Sequence, residues 1–70
     1  MDINEEIAGN IRAARAKANI TQAELAERVG VSEASVVAYE NAATKVPFPT
    51  ACAIAEELGV SPDYLAGWQS

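Results

Sequence analysis

The feature that most constrains this chain is the tripeptide Gly30-Val31-Ser32, which ends one helix and starts the next with a single residue between them. Glycine takes the positive φ of a helix C-terminal cap at little steric cost, and serine is among the preferred N-caps. Because the connection is so short, the second helix of the pair must leave at a steep angle to the first. The tripeptide therefore predicts two short helices that cross one another.

Capping signals of the same kind divide the rest of the chain. Thr21 and Glu24 form a predicted capping box at the start of the helix that Gly30 ends, so the pair is a helix-turn-helix over about residues 22–41. Apolar residues recur at helical spacing, without the two-residue alternation of a strand. We therefore predict a single all-α domain over residues 1–70 with five short helices. The other three are expected at about residues 4–18, ended by Asn19, at 49–58, ended by Gly59, and at 62–66, opened by Ser61 and Pro62.

The third helix, which Ser32 opens, has two different faces. Val36 and Tyr39 lie three residues apart and are predicted to face the core. The complementary stripe is predicted to be exposed, and in the connection that follows, over residues 42–49, Phe48 is expected to plug the core. The residues of the exposed stripe are Glu33, Ala34, Val37, Ala38 and Asn41.

Composition excludes several classes of function. The chain has no histidine and a single cysteine, Cys52, so it cannot form an intramolecular disulfide, a zinc site or a histidine-based catalytic centre. We predict neither an enzyme nor a bound metal, cofactor or small-molecule substrate, and we expect Cys52 to be a small buried apolar residue rather than a reactive thiol. No apolar run is long enough to cross a bilayer and the start MDINEE is too acidic for a signal peptide, so a cytoplasmic protein is expected.

The charge balance argues against a generic nucleic-acid binder. Ten acidic and five basic residues leave a net charge of −5, which repels a polyanion at long range. The acidic excess lies in residues 21–41, where Arg28 is the only cation. Between Ser32 and Tyr39 the sequence contains no Arg, Lys, Gln or Asn, so the third helix is poor in the side chains that usually read bases.

The order and spacing of these signals resemble a known family. The segment TQAELAERVGVSEASVVAYEN, followed after a broken connection by AIAEELGVSPDYLAG, is similar to the Cro/C1-type helix-turn-helix family of phage repressors and bacterial transcriptional regulators. The similarity covers about residues 7–67 and implies a five-helix lambda-repressor-like fold with its third helix in the major groove of DNA. Ala42 stands where the family usually has glycine, Val46 stands where proline is common, and the reading stripe lacks long hydrogen-bonding side chains.

The resemblance implies where DNA would be contacted. Gln22, in the first turn of the second helix, is expected to bind a backbone phosphate, against the alternative of a solvated helix-start residue. Glu33 has two candidate roles: it accepts a hydrogen bond from cytosine N4, or it interacts with the positive end of the helix dipole. We prefer the interaction with the dipole. Ala34, Val37 and Ala38 offer only apolar contact, which selects thymine methyl groups, so discrimination should depend largely on DNA shape and on the loop after the third helix. The full predicted set of DNA-binding residues is Gln22, Ser32, Glu33, Ala34, Val37, Ala38, Asn41, Thr44 and Lys45.

Two further sets of residues follow from the same resemblance. Arg15 in the first helix and Glu40 at the end of the third are expected to form a partly buried structural ion pair, in preference to a DNA contact by Arg15. Tyr64, Leu65 and Trp68 are expected either to pack back onto the first helix or to contact a second subunit of a homodimer. The other helical cations are expected to be solvated surface charges, namely Arg12, Lys17 and Arg28.

Two functions compete at this point. The first is a sequence-specific DNA-binding transcriptional regulator, a repressor of the phage or prophage type, which binds a double-stranded operator as a dimer. The second is an interaction module that keeps the fold but has little or no affinity for DNA. The net charge favours the second function, whereas the segment TQAELAERVGVS together with Asn41 and Lys45 favours the first, which we prefer.

Overall fold

The helices of the computed structural model follow the capping residues of the sequence. The structure describes residues 2–67, and within that range it contains five helices and no strand. The predicted all-α class with five short helices is confirmed, and within the described range no helix is both long and apolar enough to cross a membrane. The helices are α1 (Ile3–Ala18), α2 (Gln22–Val29), α3 (Glu33–Glu40), α4 (Phe48–Leu58) and α5 (Pro62–Ala66).

Local capping interactions explain where α2 begins and ends. The hydroxyl of Thr21 accepts from the N–H of Glu24 at 3.0 Å, and the Glu24 carboxylate accepts from the N–H of Thr21 at 2.9 Å, so the predicted capping box is present. Gly30 ends the helix with a φ of +83°. Ser32 then caps α3 by accepting from the N–H of Ser35 at 3.1 Å. One residue separates the two caps, and the turn is as tight as predicted.

One apolar core joins the five helices. Ile11 of α1, Leu25 of α2, Val36 of α3 and Ile54 of α4 are each 0% exposed. Removing such aliphatic side chains from water is the main favourable contribution to folding. The predicted inward direction of Val36 and Tyr39 is confirmed. The other buried apolar residues are Ala8, Ala14, Ala26, Tyr39, Ala55, Leu58 and Leu65.

Phe48 does not plug the core, contrary to the expectation from sequence. Its side chain is 75% exposed, and α4 begins at Phe48 itself, one residue earlier than predicted. The inward stripe of α4 consists of Ile54, Ala55 and Leu58. Phe48 precedes the buried Ala55 by seven residues, so helical periodicity alone would place it near the inward face. It is the first residue of α4, about two turns before the inward stripe, and at this end of the helix its ring is exposed.

The side chain of Cys52 is partly exposed, so the expectation of full burial was wrong. Cys52 precedes the buried Ile54 by two residues, which is more than half a turn around α4. Its thiol therefore lies at the edge of the core and not inside it.

Candidate nucleic-acid interface

The exposed face of α3 is narrower than the sequence predicted. Glu33, Ala34 and Asn41 are exposed, in agreement with the predicted stripe. Val37 and Ala38 are only partly exposed, which corrects the prediction for these two residues. The chain after α3 turns back on this side, because the N–H of Ala43 donates to the carbonyl oxygen of Ala38 at 2.9 Å. The fully exposed groups on this side of α3 are therefore the carboxylate of Glu33, the methyl group of Ala34 and the amide of Asn41.

The first turn of α2 brings polar groups next to the carboxyl end of α3. The first N–H groups of a helix have no intrahelical acceptor and carry the positive end of the dipole, so this turn suits an anion. Gln22 occupies the first position of α2 and its side chain is half-buried. Its Nε2 donates to Oε1 of Glu40 at 3.1 Å. That contact leaves Nε2 with a second N–H, since a side-chain amide has two.

Arg15 and Glu40 form an ion pair between α1 and the end of α3. The Nε of Arg15 donates to Oε2 of Glu40 at 2.6 Å and its Nη2 donates to Oε1 at 3.1 Å. Glu40 is 2% exposed, so its charge depends on these partners. The hydrogen bond to Glu40 raises the pKa of Arg15, and the negative charge of Glu40 adds to that increase, while burial opposes it.

Arg12 is exposed, as the sequence suggested, but its guanidinium also has a hydrogen-bond partner within the fold. Its Nη1 donates to the backbone carbonyl oxygen of Glu40 at 2.8 Å, at the carboxyl end of α3. A signal for this role was present, because Arg12 and Arg15 lie three residues apart and therefore on one face of α1. Nothing in the sequence of α3 identifies the carbonyl that Arg12 contacts.

The loop after α3 has an unusual backbone conformation at its start. Ala42 adopts a φ of +57°, a left-handed conformation in which glycine is more stable than any residue with a Cβ. Thr44 and Lys45 follow and are both exposed. The loop therefore presents Lys45 to solvent close to the carboxyl end of α3, where the resemblance implies a phosphate contact.

The residues expected at a subunit contact have separate positions. Leu65 is 1% exposed and belongs to the core, so it cannot contribute to a dimer contact. Its backbone is held from α1, because Nδ2 of Asn10 donates to the carbonyl oxygens of Tyr64 at 3.2 Å and Leu65 at 3.0 Å. Leu65 therefore packs within the fold and does not contact a second subunit. Tyr64 is half-buried against the core. Trp68 lies outside the described residues.

Two of the five cations have hydrogen-bond partners in α3. Arg15 and Arg12 both donate to Glu40, one to its carboxylate and the other to its carbonyl. Of the five cations, only Arg15 is partly buried, whereas Arg12, Lys17, Arg28 and Lys45 are exposed. Among the described residues no three Asp, Glu or Cys side chains are grouped so that they could hold a metal ion.

Comparison with known proteins supports the family indicated by these features. The family model described as "Helix-turn-helix" matches residues 11–65. Among solved structures, the P22 c2 repressor protein in complex with synthetic operator 9T in the presence of Tl⁺ is similar, with a TM-score of 0.83 and 35% sequence identity. The match covers 90% of this chain and 96% of that chain. No curated protein matches. With the matched segment spanning α2 and α3 and most of the core, this chain belongs to the helix-turn-helix family.

Proposed function

We propose that this protein is a sequence-specific DNA-binding regulator, a repressor of the phage type, that places α3 in the major groove of its operator. The observation that carries the proposal is the exposed face of α3 beside the first turn of α2, in a fold that matches the P22 c2 repressor bound to its operator at 35% identity. A helix-turn-helix places its second helix in the groove and lets the first cross the DNA backbone. Such a protein would act in the cytoplasm, beside the DNA that it regulates.

Backbone contact in this proposal comes mainly from neutral groups. The first N–H groups of α2 and the second N–H of the Gln22 amide are donors suited to a phosphate oxygen. Ser32 and Thr44 can add hydroxyl donors, and Lys45 adds a charge. Because few counterions are displaced by such a set, binding should depend on salt less steeply than it does for a strongly basic repressor.

Base reading in this proposal depends on small side chains. Ala34 is exposed at the start of α3 and offers its methyl group to thymine C5-methyl groups. Val37 and Ala38 offer smaller contact areas, since both are partly buried. Glu33 can accept from cytosine N4, and Asn41 can pair with adenine if it reaches a base edge. With so few hydrogen-bonding groups, the shape and deformability of the operator contribute much of the selectivity.

Binding as a homodimer completes the proposal. Two copies related by a two-fold axis would present two α3 helices to half-sites about one helical turn of DNA apart. A small core supports the idea in general terms, because a domain of this size gains stability from association. Sedimentation of the protein alone and with a palindromic duplex measures its oligomeric state directly. A complex of one protein chain per duplex at saturation would exclude the dimer.

The experiment that tests the function is selection from a random DNA pool at low salt, followed by sequencing of the bound fraction. A palindromic enriched motif is the expected result. The variant Ala34→Asp introduces a second carboxylate beside Glu33 and should abolish selection, whereas Ala13→Asp makes the same change on the exposed surface of α1 and should not. If the wild-type protein enriches no motif, the fold serves as a protein-interaction module, the function that the net charge of −5 would favour.

A further inference from the structure

The carboxyl end of α3 lacks a cation of its own. The C-terminal carbonyl oxygens of a helix carry partial negative charge, and a basic residue in the last turn can offset it. The last turn of α1 has Arg15 and Lys17 and that of α2 has Arg28, whereas the last turns of α3, α4 and α5 have no basic residue. The sequence of α3, EASVVAYE, contains no Lys or Arg and ends in an acidic residue.

Arg12 supplies the missing cation from another helix. Its guanidinium donates through Nη1 to the carbonyl oxygen of Glu40, the last residue of α3, at 2.8 Å. Arg15, one turn further along α1, donates to the carboxylate of the same residue at 2.6 and 3.1 Å. Two arginines on one face of α1 therefore hold a single residue of α3, one through its backbone and the other through its side chain.

The same residue also connects α3 to α2. The carboxylate of Glu40 accepts from Nε2 of Gln22 at 3.1 Å, and Asn41 follows Glu40 directly as the exposed C-cap of α3. Glu40 thus contacts Gln22 at the start of α2 and is the chain neighbour of Asn41 at the end of α3, so a displacement of Glu40 would move both. In the proposed function the side-chain amides of Gln22 and Asn41 contact different parts of the operator.

We infer that Arg12 is a positioning residue for DNA binding, which holds the carboxyl end of α3 and with it Asn41 in place against α2. A direct contact of Arg12 with phosphate fits less well. The cleft around the guanidinium is also lined by Glu5, whose carboxylate disfavours an anion at that place. The inference rests on the proposed function and names a residue outside the predicted set of DNA-binding residues.

The test compares Arg12→Gln and Arg12→Lys with Lys17→Gln, which removes one positive charge from another exposed position of the same helix. The probes are a short duplex selected from the random pool by the wild-type protein and a scrambled duplex of equal composition. Affinity for both is measured over a range of salt concentrations. Amide hydrogen exchange of residues 41–43 is measured in parallel without DNA.

A positioning role predicts that Arg12→Gln weakens binding to the selected duplex by about fivefold, the size expected for one hydrogen bond, with little change for the scrambled duplex. The slope of log affinity against log salt should match that of Lys17→Gln. Arg12→Lys should recover part of the affinity, because an ammonium group keeps the positive charge and can still donate a hydrogen bond. Exchange at residues 41–43 should be faster in Arg12→Gln than in Lys17→Gln.

Two results would overturn the inference. If Arg12→Gln weakens both duplexes alike and makes the salt slope shallower by about 1 relative to Lys17→Gln, Arg12 is a phosphate ligand. If Arg12→Gln and Lys17→Gln are indistinguishable in affinity and in amide exchange, Arg12 does not hold α3. A wild-type protein that selects no duplex would instead refute the proposed function, and the exchange data would still decide whether Arg12 holds the end of α3.

Discussion

The Nε atom of Arg15 lies 2.6 Å from Oε2 of Glu40, and the carboxylate it contacts belongs to a residue that is 2% exposed. A charge so deeply buried is tolerated only while its partners are present. Glu40 accepts from Arg15 and Gln22 through its side chain and from Arg12 through its backbone. These hydrogen bonds add to the apolar core in holding α3 against α1 and α2.

Replacing Arg15 with Met should lower the free energy of unfolding by about 3–5 kcal/mol, because it leaves the Glu40 carboxylate buried without its ion-pair partner. Urea denaturation of the wild type and the variant measures the difference. The double variant Arg15→Met/Glu40→Leu should recover much of the loss, since an apolar pair needs no partner. A loss below about 0.5 kcal/mol for the single variant would mean that the ion pair is unimportant for stability.

Replacing Ala42 with Gly should raise stability by about 1 kcal/mol, because Ala42 has a φ of +57°, where a Cβ is strained and glycine is not. Thermal unfolding measures the change. Ala43→Gly is the matched control, since Ala43 is exposed and is not among the residues with positive φ. The control should show no gain, and equal effects of the two substitutions would contradict the explanation.

Phe48→Ser should change the free energy of unfolding by less than about 0.5 kcal/mol, because the ring is 75% exposed. Leu65→Ala, at a position that is 1% exposed, should cost about 2–5 kcal/mol. Chemical denaturation of both variants provides the comparison. Were Phe48→Ser as damaging as Leu65→Ala, the ring would have to be part of the core.

The capping box should make a contribution to stability that is lost in acid. Hydrogen bonds from the backbone and hydroxyl of Thr21 lower the pKa of Glu24 below its ordinary value, and attraction to Arg28 adds to the effect. A carboxyl group whose pKa is lowered by folding stabilises the fold above its unfolded pKa, and this stabilisation disappears as the pH falls through the folded pKa. The difference in stability between wild type and Glu24→Gln should therefore be greatest near neutral pH and vanish in strong acid.

The side-chain titration of Glu24 can be followed by NMR in the folded protein. Thr21→Val removes the hydroxyl and should raise the pKa of Glu24 toward its ordinary value. An unchanged titration in Thr21→Val would show that the hydroxyl contributes nothing to the shift.

Gln22→Ala should weaken binding to the selected and the scrambled duplex by the same factor, because a phosphate contact positions the protein without reading bases. The salt slope should stay nearly the same, since Gln22 is neutral. Binding titrations against both duplexes measure the two effects. A loss confined to the selected duplex would indicate that Gln22 acts through Glu40 on the position of α3, and not on phosphate.

The ends of the helices could be predicted from the sequence because capping is a local interaction. Thr21 and Glu24 are three residues apart, as are Ser32 and Ser35, so the hydrogen bonds that start α2 and α3 are recognisable in a short window. The spacing of Val36 and Tyr39 likewise revealed the buried face of α3. The starts of α1 and α4 were each predicted one residue late. No side chain caps α4, whereas Asp2 caps α1 by accepting from the N–H of Glu5 at 2.9 Å, a local signal that the prediction did not use.

The contacts that hold the helices at their angles were decided by tertiary packing. Gln22 and Glu40 are 18 residues apart, Arg12 and Glu40 are 28 apart, and Asn10 and Leu65 are 55 apart. Two of these contacts end on backbone carbonyl oxygens, which every residue possesses, so no pattern of side chains identifies the acceptor. Two conditions select the acceptor. The carbonyl must lack an intrahelical partner, and the packing of α1 must bring an arginine or asparagine side chain within hydrogen-bonding distance of it.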